Sequence, residues 1–235
     1  MKILLYTDSR GEKISSFQNH EHYSDKLSNV YNVRKYLCTE KWTTTIDFFR
    51  TLEDEDVSRY DVIILHTSVV ENSPRLKCDA YQKIYKDPKK KKYFDEIFGE
   101  KEMKKHMLGA KSDFGTQNMY EGQVTWNMFS CDMAIQSLVP RLEELPNLIW
   151  ISNSPLVGGN GEEWLGSYWR PRPRNMGIVN EYSKEYIKSM KNTKVIDLTN
   201  WTDEEIKKYT TDNIHYTKEG SDLVYSKLTE ALREY

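Results

Sequence analysis

Two short polar stretches, one near each end of the chain, contain residue types that together can carry out nucleophilic catalysis. Ser9 follows the apolar run at residues 2–7, and Asp212 and His215 lie just before an amphipathic C-terminal segment. A serine hydroxyl attacks a carbonyl carbon efficiently when an imidazole takes its proton and a carboxylate holds that imidazole in the required tautomer. The three residues therefore predict a Ser-His-Asp triad, if the fold brings the two ends of the chain together.

Helix capping does not explain this Asp-x-x-His pattern. The helix that follows needs a capping side chain, and Thr217 can supply one by accepting a backbone N–H of the first turn. Asp212 and His215 lie upstream of that cap, so capping does not explain their presence and we expect them to have another role.

The elements that must position these residues are those of an α/β protein with a mostly parallel sheet. Short apolar runs alternate with stretches of helical apolar spacing, and no internal repeat is visible. The predicted strands are residues 2–7, 32–37, 60–68, 147–152 and 194–198. The predicted helices are residues 43–52, 128–145 with a kink or break at Pro140, 180–190, and a last helix from about Thr217 that places Val224, Leu228, Ala231 and Tyr235 on one face.

In parallel α/β sheets, ligands bind beyond the carboxyl ends of the strands. Ser9 follows the first predicted strand, polar loops follow the third and fourth, and the Asp212 to His215 stretch follows the fifth. We therefore expect four loops to meet at one edge of the sheet, with the triad among them.

These features resemble the SGNH or GDSL hydrolase family. The Gly-Asp-Ser motif of that family corresponds to Thr7-Asp8-Ser9, and its terminal Asp-x-x-His motif corresponds to residues 212–215, followed by Gly220. The resemblance implies a three-layer α/β/α, flavodoxin-like fold with a five-stranded sheet. It also implies Ser9 as nucleophile, His215 as general base and then acid, Asp212 as its orienting partner, a structural Asp8, and no cofactor or metal.

The same family binds the developing oxyanion with backbone and asparagine N–H groups. Its usual Gly after strand two is absent here, where the sequence reads LCTEKWTTT, and the region after strand three reads SVVENSPR, with Val70 at the usual Asn position. An N–H donor does not require glycine if the local backbone permits the approach. The candidate oxyanion donors are Ser9, Lys41, Trp42, Asn72 and Asn153.

Residues 75–127 depart from the alternating pattern and predict a helical insertion within a single domain spanning residues 1–235. The insertion carries a dense charge run, rich in lysine, at residues 86–106. Such a run is typical of a solvated face, and the alternative is a surface that meets an acidic ligand.

The loop at residues 154–175 offers the best indication of a substrate. Aromatic faces beside hydrogen-bonding and cationic groups suit a sugar better than a long acyl chain, which would need an aliphatic trough. The candidate substrate-binding residues are Trp164, Tyr168, Trp169, Arg170 and, from the loop after strand three, Arg75. Two alternatives stay open: the aromatic side chains pack the loop against the protein, or Arg75 pairs with a carboxylate.

Composition excludes several classes of partner. With 34 basic and 36 acidic residues the net charge is −2, so no global field attracts nucleic acid or an anionic membrane. Three widely spaced cysteines form neither a disulfide framework nor a zinc motif, and no apolar run reaches a membrane span, which favours a cytoplasmic protein. His20 and His22 lack a clear third metal ligand and predict an unliganded surface turn.

Together these features predict a serine esterase that removes an O-acyl group, most simply acetyl, from a carbohydrate through an acyl-Ser9 intermediate. The substrate would be a small-molecule or carbohydrate acyl ester. Two alternatives use the same fold: a carbohydrate O-acyltransferase with the same triad, in which a sugar rather than water accepts the acyl group, and a non-catalytic carbohydrate-binding relative.

Overall fold

The computed structural model describes residues 1–13, 18–39, 42–76, 79, 84, 86–108, 119–157 and 174–235 of the chain. The strands in these ranges are β1 (Lys2–Thr7), β2 (Asn32–Leu37), β3 (Val62–His66), β4 (Arg75–Leu76), β5 (Met119–Tyr120), β6 (Gln123–Trp126), β7 (Leu148–Ile151) and β8 (Lys194–Ile196). The α-helices are α1 (Tyr23–Val30), α2 (Thr45–Leu52), α3 (Val69–Asn72), α4 (Pro88–Phe98), α5 (Glu100–Leu108), α6 (Cys131–Met133), α7 (Val139–Glu143), α8 (Ile178–Ser189), α9 (Asp203–Tyr209) and α10 (Lys218–Ala231).

Five of the strands form one parallel sheet in the order β2-β1-β3-β7-β8. Strand β1 lies between β2 and β3, and Thr7 at its end is level with Leu37 and His66. The chain runs outward from β1 to β2 and then crosses to β3 on the other side. This reversal creates a crevice at the carboxyl ends of β1 and β3, where α/β proteins bind ligands.

Helices cover both faces of the sheet, because side chains alternate between the faces along each strand. Leu4 and Tyr6 of β1 belong to a core cluster that includes Phe48 of α2, Phe94 of α4 and Tyr182 of α8. The alternate residues of β1 join a second cluster that includes the apolar faces of α1 and α10; its members include Ile3, Leu5, Leu27, Val224 and Leu228. The predicted three-layer α/β/α architecture with a five-stranded parallel sheet is confirmed.

The last helix begins as predicted and ends earlier than predicted. Thr217 caps α10, and its Oγ1 accepts the Gly220 N–H at 3.1 Å. Ala231 closes the α-helix, and the 3₁₀ turn Leu232–Glu234 then buries Leu232 in place of Tyr235. Tyr235 lies beyond the end of α10 and is 46% exposed, so it does not extend the predicted helix face.

The helix predicted over residues 128–145 is interrupted by a π-helical turn, Ala134–Leu138, which joins α6 to α7. Pro140 lies in the first turn of α7, where a missing N–H is tolerated. The helix is therefore interrupted just before Pro140, next to the position of the predicted kink or break.

The segment at residues 75–127 contains α4, α5 and a small antiparallel sheet in the order β4-β6-β5. One lysine of its charge run is buried: Lys90 Nζ lies 3.0 Å from Asp47 of α2, and both side chains are 4% exposed. The predicted solvated face is therefore wrong for Lys90, because an ion pair with a distant helix holds it inside, whereas Lys89 and Lys92 are exposed. No helix in the described ranges is long and apolar enough to cross a membrane.

Candidate active site

Ser9 begins a 3₁₀ turn, Ser9–Gly11, directly after β1. Asp8 caps this turn by accepting the Arg10 N–H at 3.0 Å, and the Asp8 N–H continues the ladder with β3 by donating to the His66 carbonyl at 2.9 Å. A Cβ atom on Gly11 would lie 2.3 Å from Thr7 Cγ2, so the tight return of the chain at this point requires glycine. The turn thereby holds Ser9 at the carboxyl end of the sheet.

The loop that carries Asp212 and His215 is closed at both ends by hydrogen bonds. Thr210 and Tyr216 form an antiparallel bridge, and the Thr211 N–H donates to the His215 carbonyl at 2.7 Å. At the tip, Asn213 has a left-handed φ of 72°, a conformation that asparagine tolerates. Its side chain accepts the Val157 N–H at 3.0 Å and donates to the Val157 carbonyl at 2.6 Å. The loop is therefore attached to the segment that follows β7.

The three residues that the sequence predicted as a triad lie within hydrogen-bonding distance of one another. Ser9 Oγ is 2.8 Å from His215 Nε2, across a sequence separation of 206 residues. His215 Nδ1 is 2.8 Å from Asp212 Oδ2 and 3.0 Å from Oδ1. With Nδ1–H donating to this carboxylate, the lone pair on Nε2 faces the Ser9 hydroxyl, as a general base requires.

The Asp212 carboxylate is itself held by the backbone. Its Oδ1 accepts the N–H groups of Ile214 at 3.1 Å and His215 at 2.8 Å. The His215 and Asp212 side chains are only 14% and 10% exposed, so little water competes for these hydrogen bonds. The arrangement can remove a proton from Ser9 without moving a side chain far.

Arg10 is a buried residue of the site that the sequence analysis missed. Its guanidinium donates to both Asp8 oxygens at 2.9 Å, to the Thr67 carbonyl at 2.6 Å and to Asn153 Oδ1 at 2.7 Å. These partners follow β1, β3 and β7, so one side chain joins the ends of three strands. An arginine two residues from an aspartate in a turn after a buried strand is a weak signal that could have indicated this role. Asp8 is paired with Arg10 rather than with His215.

His66, at the end of β3, is neutral, and both of its ring nitrogens lie within hydrogen-bonding distance of a tyrosine hydroxyl. Its Nδ1 is 2.7 Å from the Tyr23 hydroxyl, and its Nε2 is 3.1 Å from the Tyr216 hydroxyl. Burial, and then the positive charge of Arg10, hold the pKa of His66 well below its usual value. A ring with both nitrogens occupied cannot act as a second base.

The predicted oxyanion donors differ in their hydrogen-bonding partners. Within the described ranges, the Ser9 N–H has no hydrogen-bond acceptor, so it is available to a ligand. The Trp42 carbonyl accepts from Lys90 Nζ at 3.0 Å. Lys41 lies outside the described residues.

The two asparagine candidates do not face Ser9. Both amide hydrogens of Asn153 are used, since Nδ2 donates to Ser68 Oγ at 2.9 Å and to Ser183 Oγ at 3.0 Å. This leaves Asn153 no N–H for an oxyanion, and we drop it as a donor. Asn72 turns toward α8, where its Oδ1 accepts from the Tyr186 hydroxyl at 3.1 Å, and it makes no contact with the triad among the described residues.

Arg75 is the described member of the predicted substrate-binding set. Its Nε donates to the Val70 carbonyl at 3.0 Å, and its guanidinium lies 4.3 Å from the centre of the Trp42 ring. This cation–π contact places both residues at the same part of the rim. The other candidates, Trp164, Tyr168, Trp169 and Arg170, lie outside the described residues.

His20 and His22 differ from the predicted surface turn. Their rings stack with centroids 4.7 Å apart, and His22 is completely buried. The prediction of a surface turn is wrong for His22, because the surrounding protein buries this residue, which directly precedes α1. Burial, and then the His20 ring, lower the pKa of His22 to about 4, so it is neutral near pH 7. No group of three or more histidine, cysteine or acidic side chains in the described ranges is placed to hold a metal ion.

Comparison with solved structures identifies proteins of the same fold. A lipase/acylhydrolase from Enterococcus faecalis matches with a TM-score of 0.50 and 14% identity, over 99% of this chain and 95% of that chain. A proposed arylesterase from Agrobacterium tumefaciens matches with a TM-score of 0.50 and 11% identity, over 99% of this chain and 98% of that chain. No family model and no curated protein matches the sequence. The likenesses show that the chain has the SGNH hydrolase fold.

Proposed function

We propose that the protein is a serine esterase that hydrolyses an acyl ester, and that the acyl group, most simply acetyl, is carried on a carbohydrate. The observation that supports hydrolysis is the continuous relay from Asp212 through His215 to Ser9, with contacts of 2.8 Å on each side of the imidazole. The proposed nucleophile, general base and orienting carboxylate thus lie at hydrogen-bonding distances from one another.

In the proposed reaction, Ser9 Oγ attacks the ester carbonyl carbon while His215 Nε2 takes the hydroxyl proton. Asp212 stabilises the imidazolium that forms, and the Ser9 N–H is directed to the developing oxyanion. Collapse of the tetrahedral intermediate breaks the bond to the alcohol oxygen, and His215 returns the proton to that oxygen. The products of this half-reaction are the free alcohol and acyl-Ser9.

The second half-reaction repeats these steps with water as nucleophile. His215 takes a proton from water, the hydroxide oxygen bonds to the acyl carbon, and the carboxylic acid leaves as the proton returns to Ser9 Oγ. If a sugar hydroxyl replaces water, the same steps give an acyltransferase. The two activities therefore differ only in which acceptor reaches acyl-Ser9.

Removal of the nucleophile tests this proposal. We expect Ser9→Ala to abolish hydrolysis of 4-nitrophenyl acetate and to prevent labelling by a fluorophosphonate probe. The melting temperature should be nearly unchanged, because the Ser9 side chain is half-buried and, among the described residues, hydrogen-bonds only His215. Ser28→Ala is the matched control. The Ser28 hydroxyl donates to the Ser24 carbonyl and contacts no proposed catalytic residue in the described ranges.

Mass spectrometry of the labelled wild-type protein should locate the phosphonate on Ser9. A label on another serine, or turnover by Ser9→Ala at the wild-type rate, would refute the nucleophile. A folded wild-type protein that neither reacts with the probe nor turns over the ester would favour the non-catalytic carbohydrate-binding alternative. Transfer of acetyl from the aryl ester to a disaccharide in place of hydrolysis would favour the acyltransferase.

A further inference from the structure

Four buried side chains form a continuous row of hydrogen bonds under the triad. All four are 0% exposed: Thr7, Tyr23, His66 and Tyr216. Thr7 Oγ1 lies 3.2 Å from the Tyr23 hydroxyl, which lies 2.7 Å from His66 Nδ1. On the other side of the imidazole, Nε2 lies 3.1 Å from the Tyr216 hydroxyl. We call these four residues the His66 network.

The two ends of the network adjoin the two ends of the chain that supply the triad. Tyr216 directly follows His215, the proposed general base. At the other end, Thr7 Oγ1 donates to the Asp8 carbonyl at 2.9 Å. This carbonyl belongs to the peptide group that carries the Ser9 N–H, the proposed oxyanion donor. The network therefore connects the residue after the base to the peptide group at the nucleophile.

The number of available protons fixes the direction of every hydrogen bond in the network. Thr7 has one hydroxyl proton, which it gives to the Asp8 carbonyl, so its oxygen accepts from the Tyr23 hydroxyl. Tyr23 has then used its own proton and must accept from His66 Nδ1–H. Because the ring is neutral, Nε2 has a lone pair that accepts from the Tyr216 hydroxyl. Burial raises the pKa of both tyrosine hydroxyls, so they keep their protons.

All donors thus point from the His215 side toward the Ser9 side. The Asp8 carbonyl, where the row ends, also accepts the Gly11 N–H at 3.1 Å. Since a peptide group is planar, two donors that hold this carbonyl also set the direction of the Ser9 N–H. Hydrogen bonds in a row polarise one another, so the row makes this N–H a stronger donor.

We propose that Tyr23, His66 and Tyr216 are positioning residues, because their hydrogen bonds hold the general base and the oxyanion donor of the proposed reaction in one fixed arrangement. The arrangement requires the Nδ1–H tautomer of His66. Its effect on turnover rests on the proposed function. The tautomer of His66 and the surroundings of the His215 ring can be measured without a substrate.

NMR of the protein labelled with ¹⁵N-histidine tests the tautomer. We expect a protonated Nδ1 and an unprotonated Nε2 for His66 in the wild type, with its signals assigned by their absence in His66→Gln. In Tyr23→Phe, Nδ1–H loses its acceptor, so the proton should move to Nε2, where it can donate to the Tyr216 oxygen. This reversal should also shift the ring signals of His215.

Kinetics test the positioning role. We expect Tyr23→Phe and Tyr216→Phe to lower kcat for 4-nitrophenyl acetate about 3- to 10-fold with little change in KM, as loss of one neutral hydrogen bond permits. Tyr182→Phe is the matched control. Tyr182 is also 0% exposed and its hydroxyl donates to the Phe129 carbonyl at 2.8 Å, but it belongs to the core cluster on the opposite face of the sheet. It should lose similar stability and keep kcat.

The outcomes separate this role from the proposed esterase. A protonated Nε2 in wild-type His66 overturns the proposal and leaves the esterase intact. Equal kcat in Tyr23→Phe, Tyr216→Phe and Tyr182→Phe also overturns it. If the wild type does not hydrolyse the ester, the proposed function fails. His215 ring signals that move in Tyr23→Phe but not in Tyr182→Phe would then still support positioning, and unchanged signals would refute it.

Discussion

Two aspartates near Ser9 have different partners, and these partners predict different effects of mutation. Asp212 bonds the His215 ring, whereas Asp8 pairs with the buried Arg10. Asp212→Asn should lower kcat for 4-nitrophenyl acetate by up to about 10⁴-fold, because the amide favours the wrong imidazole tautomer. The melting temperature should change less than in Asp8→Asn.

Asp8→Asn is the comparison for this prediction. It leaves the Arg10 guanidinium buried without its carboxylate, a change that typically costs about 3–5 kcal/mol of folding free energy. Urea unfolding and steady-state kinetics of both variants distinguish the roles. An activity loss in Asp8→Asn at full stability, with near-normal turnover in Asp212→Asn, would reverse the assignments.

Glu71 predicts a dependence of stability on pH. Its side chain is fully buried, Oε1 accepts from the Thr45 N–H at 2.9 Å and from Thr45 Oγ1 at 2.6 Å, and Oε2 has no partner in the described ranges. Burial raises the pKa of Glu71 to about 7, against the smaller lowering effect of the Thr45 hydrogen bonds. The folded protein therefore holds this proton more tightly than the unfolded chain.

Because the folded state binds this proton more tightly, the stability of the protein falls as the pH rises. The stabilising effect of the protonated carboxyl is complete below the unfolded pKa near 4.5 and is lost as the pH rises through about 7. Relative to Glu71→Gln, the wild type should lose up to about 3 kcal/mol of unfolding free energy between pH 5 and pH 8. Urea unfolding at the two pH values measures the loss, with the exposed Glu204→Gln as control. A constant difference between wild type and Glu71→Gln across this range would contradict the buried, proton-binding state.

At the scale of elements, the position of His215 depends on how α9 and α10 meet. Gly220, in the first turn of α10, packs so closely that a Cβ atom would lie 2.1 Å from the Tyr209 carbonyl oxygen at the end of α9. The Thr217 N–H donates to the same carbonyl at 2.9 Å. This contact sets the two ends of the loop that presents Asp212 and His215.

Gly220→Ala should therefore separate the two helices and displace the loop. We expect a loss of about 1–3 kcal/mol in unfolding free energy, as for other overpacked sites, together with reduced turnover of the aryl ester. Gly177→Ala is the matched control, because no atom lies within 4 Å of the added Cβ. Equal thermal unfolding curves for the wild type and Gly220→Ala would show that α9 and α10 can move apart without loss of stability.

At the scale of the whole molecule, the segment at residues 75–127 is joined to the sheet layers by a buried charge pair. Lys90 of α4 pairs with Asp47 of α2, and Asp47 also accepts the Thr44 N–H at 2.9 Å in the capping box of α2. We propose that this segment is an insertion into a single domain, and that the Lys90–Asp47 pair fixes it against the main fold.

Lys90→Met tests this role. Removing the cation leaves a buried carboxylate with only neutral donors, which should cost about 3–5 kcal/mol of unfolding free energy. Lys92→Met, on the same helix with 66% of the side chain exposed, should change stability by less than about 0.5 kcal/mol. Urea unfolding measures both variants. If the two methionine variants are equally stable, the buried pair does not anchor the segment.

Several strands of the sheet and the residue types of the site could be predicted from the sequence. The apolar run at residues 2–7 coincides with β1, because a buried parallel strand requires continuous apolar side chains over a short length. The weaker run at residues 32–37 coincides with β2, an edge strand whose residues are half-buried or exposed. The Thr217 cap is local chemistry between residues three positions apart. The triad candidates could be read from their types and from the rule that loops after parallel strands share one edge.

The pairing of polar groups, in contrast, could not be predicted without the three-dimensional fold. Asn153 Nδ2 donates to Ser68 and Ser183, which are 85 and 30 residues away in the sequence, and these contacts leave Asn153 no N–H for an oxyanion. Burial of Lys90 and His22 likewise depends on elements distant in sequence. The hydrogen-bonding capacity of a side chain is known from its type, but its partner is set by long-range packing, which local composition and periodicity do not specify.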